Sequence, residues 1–334
     1  MNRSPTRRQT LQLGAVGLAA GVAGCLGNDT PAATLAFEGF DRIDDDALPD
    51  RTAYATADRS FPNYRLYEAA DPDIALILLH TAVFDSRVLE PLASGLAAAN
   101  VAHVFTPDLR GHGPEPERRG DLSFRYQLED DITHLIDRVE TLFSDVEVVV
   151  GGHGTGGGVA VRFAARPAGR RADGFLFLAP YLGREAPTTK PAMGGWAEFY
   201  GDRIFLLRVA TGFGLEWNQD MTSVEYEIPD DLWDGTETLE HAYRLMVSYT
   251  PAEDDLERLA DRPMLTVVGT ADETAVSDAY DALVGTEDSQ TLEQLEGASH
   301  FDLTLTETAI ETIETWVDET SFERRGREGS NSSQ

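Results

Sequence analysis

The stretch with the clearest chemical signature runs from Val146 to Ala165. A β-branched run (Val146, Val148, Val149, Val150) meets a glycine cluster and passes into small and apolar residues of helical length, so it reads as strand, sharp turn and helix. The turn, Gly152-His153-Gly154-Thr155-Gly156, has the spacing Gly-x-nucleophile-x-Gly. In such a turn small flanking residues let strand and helix backbones approach, and the central residue sits on strained backbone at the strand's tip. Here the centre is Gly154, which offers neither oxygen nor sulfur to attack a substrate. Removing the nucleophile from a catalytic constellation costs on the order of a millionfold, while the remaining binding and electrostatic groups retain roughly a thousandfold or more. Other chemistries find less support. No pair of histidines or carboxylates has metal-ligand spacing on one helix, there is no phosphate-binding lysine loop, and Gly154-Thr155-Gly156-Gly157-Gly158 lacks the spacing of a dinucleotide fingerprint. No cofactor or metal is expected.

Alternating strand and helix patterns surround this turn. Strands are expected at 74–79 (IALILL), 102–106, 146–150, 174–179, 264–268 and 291–295, and helices at 87–99, 126–143, 155–165, 275–284 and 304–317. That alternation predicts an α/β fold with a mostly parallel sheet covered by helices on both faces. Between 181 and 257 it breaks into short helix-like pieces carrying Trp196, Phe199, Tyr200, Phe205, Phe213, Trp217 and Trp233. This insertion is expected to form a helical cap over the carboxyl ends of the strands, although each aromatic taken singly could equally fill a small second core.

The chain ends read differently. Thr6-Arg7-Arg8-Gln9-Thr10-Leu11 is a twin-arginine pattern, and the uncharged run that follows to Val22 is too short to span a bilayer but suits a signal-peptide core. Val22-Ala23-Gly24-Cys25 resembles a lipobox, so residues 1–24 are expected to be removed and Cys25 to carry lipid. The expected location is the outer face of the cell membrane, held by an N-terminal lipid anchor; plain secretion is the second choice. Residues 25–50 are acidic and without periodicity and are expected as a flexible tether, 51–323 as the folded domain, and 324–334 as a disordered tail. The formal net charge of -31 with 42% apolar residues describes a folded, strongly acidic protein. Self-repulsion at that charge is relieved by salt, as in the proteins of extreme halophiles, and it disfavours nucleic acid as a partner.

From about residue 70 to 317 the chain resembles an α/β-hydrolase, closest in pattern to the capped monoacylglycerol-lipase and serine-aminopeptidase branch. The resemblance rests on Leu78-Leu79-His80-Thr81-Ala82, Asp108-Leu109-Arg110-Gly111-His112-Gly113, the 152–156 turn, Val268-Gly269-Thr270-Ala271-Asp272 and Gly297-Ala298-Ser299-His300, in that order after the expected strands. It implies that Asp272 is the acid that orients a histidine, and that His300 is the general base. It also implies that the backbone N–H groups of Thr155 and Ala82 form an oxyanion hole. The plainer alternatives are a loop-end or N-cap role for Asp272 and a packing role for His300. Asp108, Arg110, His112 and His153 match positions the family keeps for structure. Thr81 departs from the pattern, standing where a glycine is usual and crowding the loop.

With Gly154 at the nucleophile position three accounts follow. Thr155 or another hydroxyl substitutes; or His300, oriented by Asp272, activates water or abstracts a substrate proton in the room left by the missing side chain; or the protein is a pseudoenzyme that binds an acyl ligand. The expected activity is hydrolysis of a carboxylic ester or related acyl bond, and the expected partner is a small acyl or ester molecule.

Overall fold

The computed structural model describes residues 34–191, 193–259, 262–284 and 289–322, which belong to one compact unit. The twin-arginine stretch, Cys25 and the 324–334 tail lie outside the described residues. Eleven strands are described: β1 (Thr52–Ala53), β2 (Asn63–Tyr67), β3 (Ile74–Leu79), β4 (His103–Pro107), β5 (Glu147–His153), β6 (Gly174–Leu178), β7 (Ala197–Phe199), β8 (Thr222–Tyr226), β9 (Glu240–Ala242), β10 (Met264–Gly269) and β11 (Gln290–Leu295). Eight form one sheet in the order β1-β2-β4-β3-β5-β6-β10-β11, parallel from β4 onwards and antiparallel at the β1-β2-β4 edge. Every residue of β3, β4, β6 and β10 is buried, as strands covered on both faces require.

The chain leaves β3 to form β4 on one side and later returns to form β5 on the other. This order reversal opens a crevice at the carboxyl ends of the strands, the usual ligand position in such sheets. Helices α1 (Glu90–Ala98), α2 (Gln127–Leu142), α3 (Thr155–Ala164), α6 (Asp302–Leu305) and α7 (Glu307–Glu319) accompany the sheet.

The insertion at 181–257 is only partly helical. Helices α4 (Gly201–Gly212) and α5 (Tyr243–Ser248) accompany a three-stranded antiparallel sheet, β7-β8-β9. Its aromatics divide by position: Trp196 is buried, whereas Phe205, Phe213, Trp217 and Trp233 are exposed and fill no core.

Two expectations need correction. The described part of the tether, from residue 34, packs onto the domain. Leu35 is buried and donates its N–H to Gly194 O, and Phe37 and Phe40 join Phe84 and Phe301 in an aromatic cluster with centroid spacings of 4.8–6.3 Å. Three apolar side chains thus anchor a segment whose acidic composition suggested a free linker. The helix expected at 275–284 is a single 3-10 turn, Ser277–Tyr280. Its start is drawn into an extended pairing with the cap, through a bridge between Thr189 and Ala275 and a hydrogen bond from Val276 N–H to Thr188 O.

Candidate active site

Loops at the carboxyl ends of β3, β5, β10 and β11 bring Thr81, Gly154, Asp272 and His300 together. Gly154 caps α3 with φ 54° and ψ -118°, a conformation in which only glycine is at ease. A non-glycine residue held there costs of order 1–3 kcal/mol. The two flanking glycines serve close approach. A Cβ on Gly152 would collide with the backbone of Gly156, and one on Gly156 with the carbonyls of Leu79 and His80.

His300 is 3% exposed, and its Nδ1–H donates to Asp272 Oδ2 at 2.8 Å. The other carboxylate oxygen, Oδ1, accepts from Thr274 N–H (2.7 Å), Thr274 Oγ1 (2.8 Å) and Ala275 N–H (2.8 Å). Burial alone would raise the pKa of the Asp272 carboxyl, but the facing His300 and these hydrogen bonds outweigh it and hold the group well below the usual carboxylate range. A permanently ionised Asp272 fixes the imidazole with its proton on Nδ1 and the Nε2 lone pair free to act as base. Nε2 faces the 152–156 turn, the elbow between β5 and α3, and lies 3.2 Å from where a Cβ on Gly154 would lie.

Three residues that sequence reasoning passed over hold this pair. Glu273 is buried and accepts His300 N–H on Oε2 and Ala36 N–H on Oε1, each at 3.0 Å, tying the base to the N-terminal segment. Lys190, the sole lysine, donates Nζ to the carbonyl of Asp272, while its N–H donates to Thr274 O at 2.8 Å, so the cap clasps the acid's loop. Thr274 was legible only as the second residue after Asp272. His153 plays the structural part expected of it: Nε2 donates to His300 O at 3.0 Å, the rings lie 4.3 Å apart, and burial followed by the neighbouring His300 keeps its pKa well below the usual histidine value.

The Thr81 side chain enters the space that a serine at 154 would use. A Cβ added to Gly154 would overlap Thr81 Oγ1 and lie 3.1 Å from Thr81 Cβ. Thr81 Oγ1 also accepts, at 3.4 Å, the N–H of Thr155, one of the two expected oxyanion donors. Ala82, the other, is buried directly after Thr81. Part of the room expected beside Gly154 is therefore taken by the Thr81 hydroxyl, and Thr155 contributes a buried backbone donor to the site. Asp108 and Arg110 hold structure: Asp108 pairs with Arg51 at 2.9 Å and Arg110 with Asp131 at 2.6 Å.

The cavity over these residues has a volume of about 20 Å³ and is lined by Thr81, Gly154, Thr155, His300 and, from the cap side, Tyr181, Met193 and Trp196. A larger recess of about 490 Å³ between β11 and α7 shares no residue with it and holds no converging acid and base. Among the described residues no group of three or more histidine, cysteine or carboxylate side chains could hold a metal ion.

The sequence profile of the serine aminopeptidase S33 family (Hydrolase_4) matches residues 70–307. The chain belongs to this family of α/β-hydrolases. No curated protein sequence matches it. Among solved structures it is similar to a monoglyceride lipase of Saccharomyces cerevisiae, with a TM-score of 0.62 and 16% identity over 81% of this chain and 95% of the lipase. It is also similar to a Thermogutta terrifontis esterase (TM-score 0.51, 18% identity, 80% and 98% covered) and to a Paleococcus ferrophilus monoacylglycerol lipase (0.53, 18%, 77% and 97%). At these identities the likeness is one of fold, and the site must speak for the chemistry.

Proposed function

We propose that the protein hydrolyses a carboxylic ester or related acyl bond, with His300 as general base, Asp272 as the group that orients it and water in place of the missing serine. The observation that carries this reading is His300 itself: Nδ1 bound to a buried carboxylate at 2.8 Å and Nε2 directed at the elbow, above an apolar-walled cavity. A packing histidine has no need of an acid with four hydrogen-bond donors on its two oxygens. Membership of a hydrolase family and the lipase and esterase names among its structural neighbours support the substrate class. The twin-arginine and lipobox patterns support action outside the cytoplasm at the outer face of the membrane, and the net charge of -31 supports action in high salt.

One observation favours a second reading, a ligand-binding pseudoenzyme: Thr81 Oγ1 already accepts the Thr155 N–H that would otherwise stabilise an oxyanion. Turnover of a short activated ester in molar salt separates the two. Hydrolysis that His300→Ala reduces by roughly two to four orders of magnitude supports the enzyme. Absence of turnover, with saturable acyl-ligand binding that survives His300→Ala, supports the binder.

A further inference from the structure

Thr81 and Gly154 are far apart in the sequence yet fit one another as two halves of one exchange. The 154 side chain is absent, and the hydroxyl oxygen of Thr81 lies 2.4 Å from the position a Cβ there would take. Thr81 is 1% exposed, so its hydroxyl is a buried polar group that must be satisfied. Oγ1 accepts from Thr155 N–H, the first amide of α3, which leaves the hydroxyl proton to be given away. Among the described residues, the only titratable side chain lining the same cavity, apart from the phenols of Tyr181 and Tyr280, is His300. Its Nε2 lies 3.2 Å from that Cβ position, so both polar atoms border the space beside Gly154. No hydrogen bond links Thr81 Oγ1 directly to His300 Nε2 among the described residues. Two polar atoms that border one small volume can be joined through a single water.

We propose that Thr81 is a catalytic residue that seats the attacking water between its own hydroxyl and His300 Nε2, so that the hydroxyl lost at position 154 has been replaced from across the site. This rests on the hydrolytic reading above and adds to it the identity of the group that holds the nucleophile. The Thr81 O–H donates to one lone pair of the water, and a water hydrogen points at Nε2. The water oxygen forms a bond to the acyl carbon as its proton passes to Nε2. The tetrahedral species then breaks its bond to the alkoxy oxygen, which takes the proton from Nε2. One ester and one water give one acid and one alcohol; no side chain is acylated and no redox partner is required. Fixing the water in a near-attack position supplies the orientation that a covalent serine otherwise provides.

The test compares the full chain with Thr81→Val, which keeps the shape, Thr81→Ser, which keeps the hydroxyl, and His300→Ala, each first checked for native circular dichroism. Thr81→Val is expected to lower kcat on the order of a hundredfold with KM little changed, and Thr81→Ser to restore most of it. A fluorophosphonate probe is expected to leave no adduct on any site residue. Thr81→Val with native kcat, while His300→Ala abolishes turnover, overturns the role of Thr81 and leaves the hydrolytic reading standing. A fluorophosphonate adduct on Thr81 also overturns it, because the threonine would then itself be the nucleophile. Native turnover no greater than that of His300→Ala overturns the hydrolytic reading and this inference with it.

Discussion

Two buried histidine assemblies, one at the elbow and one reached through His80 of the β3 loop, differ in what they are given. At the elbow, His300 has an ionised carboxylate on Nδ1, a cavity at Nε2 and the neighbouring ring of His153 held by a hydrogen bond to its carbonyl. Under the cap, His80, His112 and His241 stack edge to face with centroids 5.2 and 5.1 Å apart, and His241 continues to Tyr249 and Tyr226. Among the described residues none of these three hydrogen-bonds a carboxylate, and none lines the elbow cavity. His80 donates from Nδ1 to Thr81 O at 2.8 Å and accepts Leu109 N–H on Nε2 at 2.9 Å, so both nitrogens are spent on backbone that positions the site. Burial pushes all three pKa values down, that of His241 to about 3. A buried histidine becomes a base when an acid fixes one nitrogen and a cavity receives the other; without these it is a joint between core and cap.

Substitutions at the acid should break this contrast most severely. Asp272→Asn keeps the shape but removes the charge that fixes the His300 tautomer, and kcat is expected to fall on the order of a thousandfold or more. His241→Phe, equally buried, is expected to leave kcat within a few-fold of native. A large loss with His241→Phe would erase the distinction between the two assemblies.

The elbow gives a second, sharper test. Gly154→Ser alone places a Cβ against Thr81 Oγ1 and restores the strain that glycine relieves, so it is expected to destabilise the protein by a few kcal/mol and to take no covalent label. Gly154→Ser combined with Thr81→Gly returns the space, and this double variant is expected to react with a fluorophosphonate at the introduced serine. Mass spectrometry of the labelled chains reads the outcome. Labelling of the single variant would show that Thr81 yields easily and that the two positions are not coupled.

The smallest effect is on stability and depends on pH. His80, His112, His153 and His241 are neutral in the folded chain but take up protons near pH 6.5 once unfolded. Their contribution to stability is therefore present above about pH 6.5 and lost as pH falls, by up to about 1.4 kcal/mol per unit for each histidine. Asp272, with its pKa lowered, contributes above about pH 4 and loses its contribution only below that. Urea midpoints in molar salt between pH 7 and 5 should fall, and His241→Phe should flatten the fall by one proton's share.

Much of this was legible in the sequence because it depends on local order. The strand, turn and helix around Gly154 follow from β-branched and glycine residues in succession, and Asp272 and His300 fall in loops directly after strands. What was hidden depends on contacts between distant segments. Thr81 showed as a crowded loop residue, but its fit into the space of Gly154 emerges only when β3 and β5 lie side by side. Glu273 reads as one more acid in a chain with 58 aspartates and glutamates, and only the fold sets its two oxygens on His300 N–H and Ala36 N–H. The same holds for residues 34–50, where Leu35, Phe37 and Phe40 are too widely spaced to show a period yet anchor the segment beside the site.

Intact-mass spectrometry of the native protein during turnover of an activated ester in molar salt tests the central claim most directly. A site that works with water held by His300 predicts that leaving group accumulates, at a rate His300→Ala abolishes, while the protein's mass never rises by the acyl group. An acylated protein population that forms and decays at the rate of turnover would contradict it.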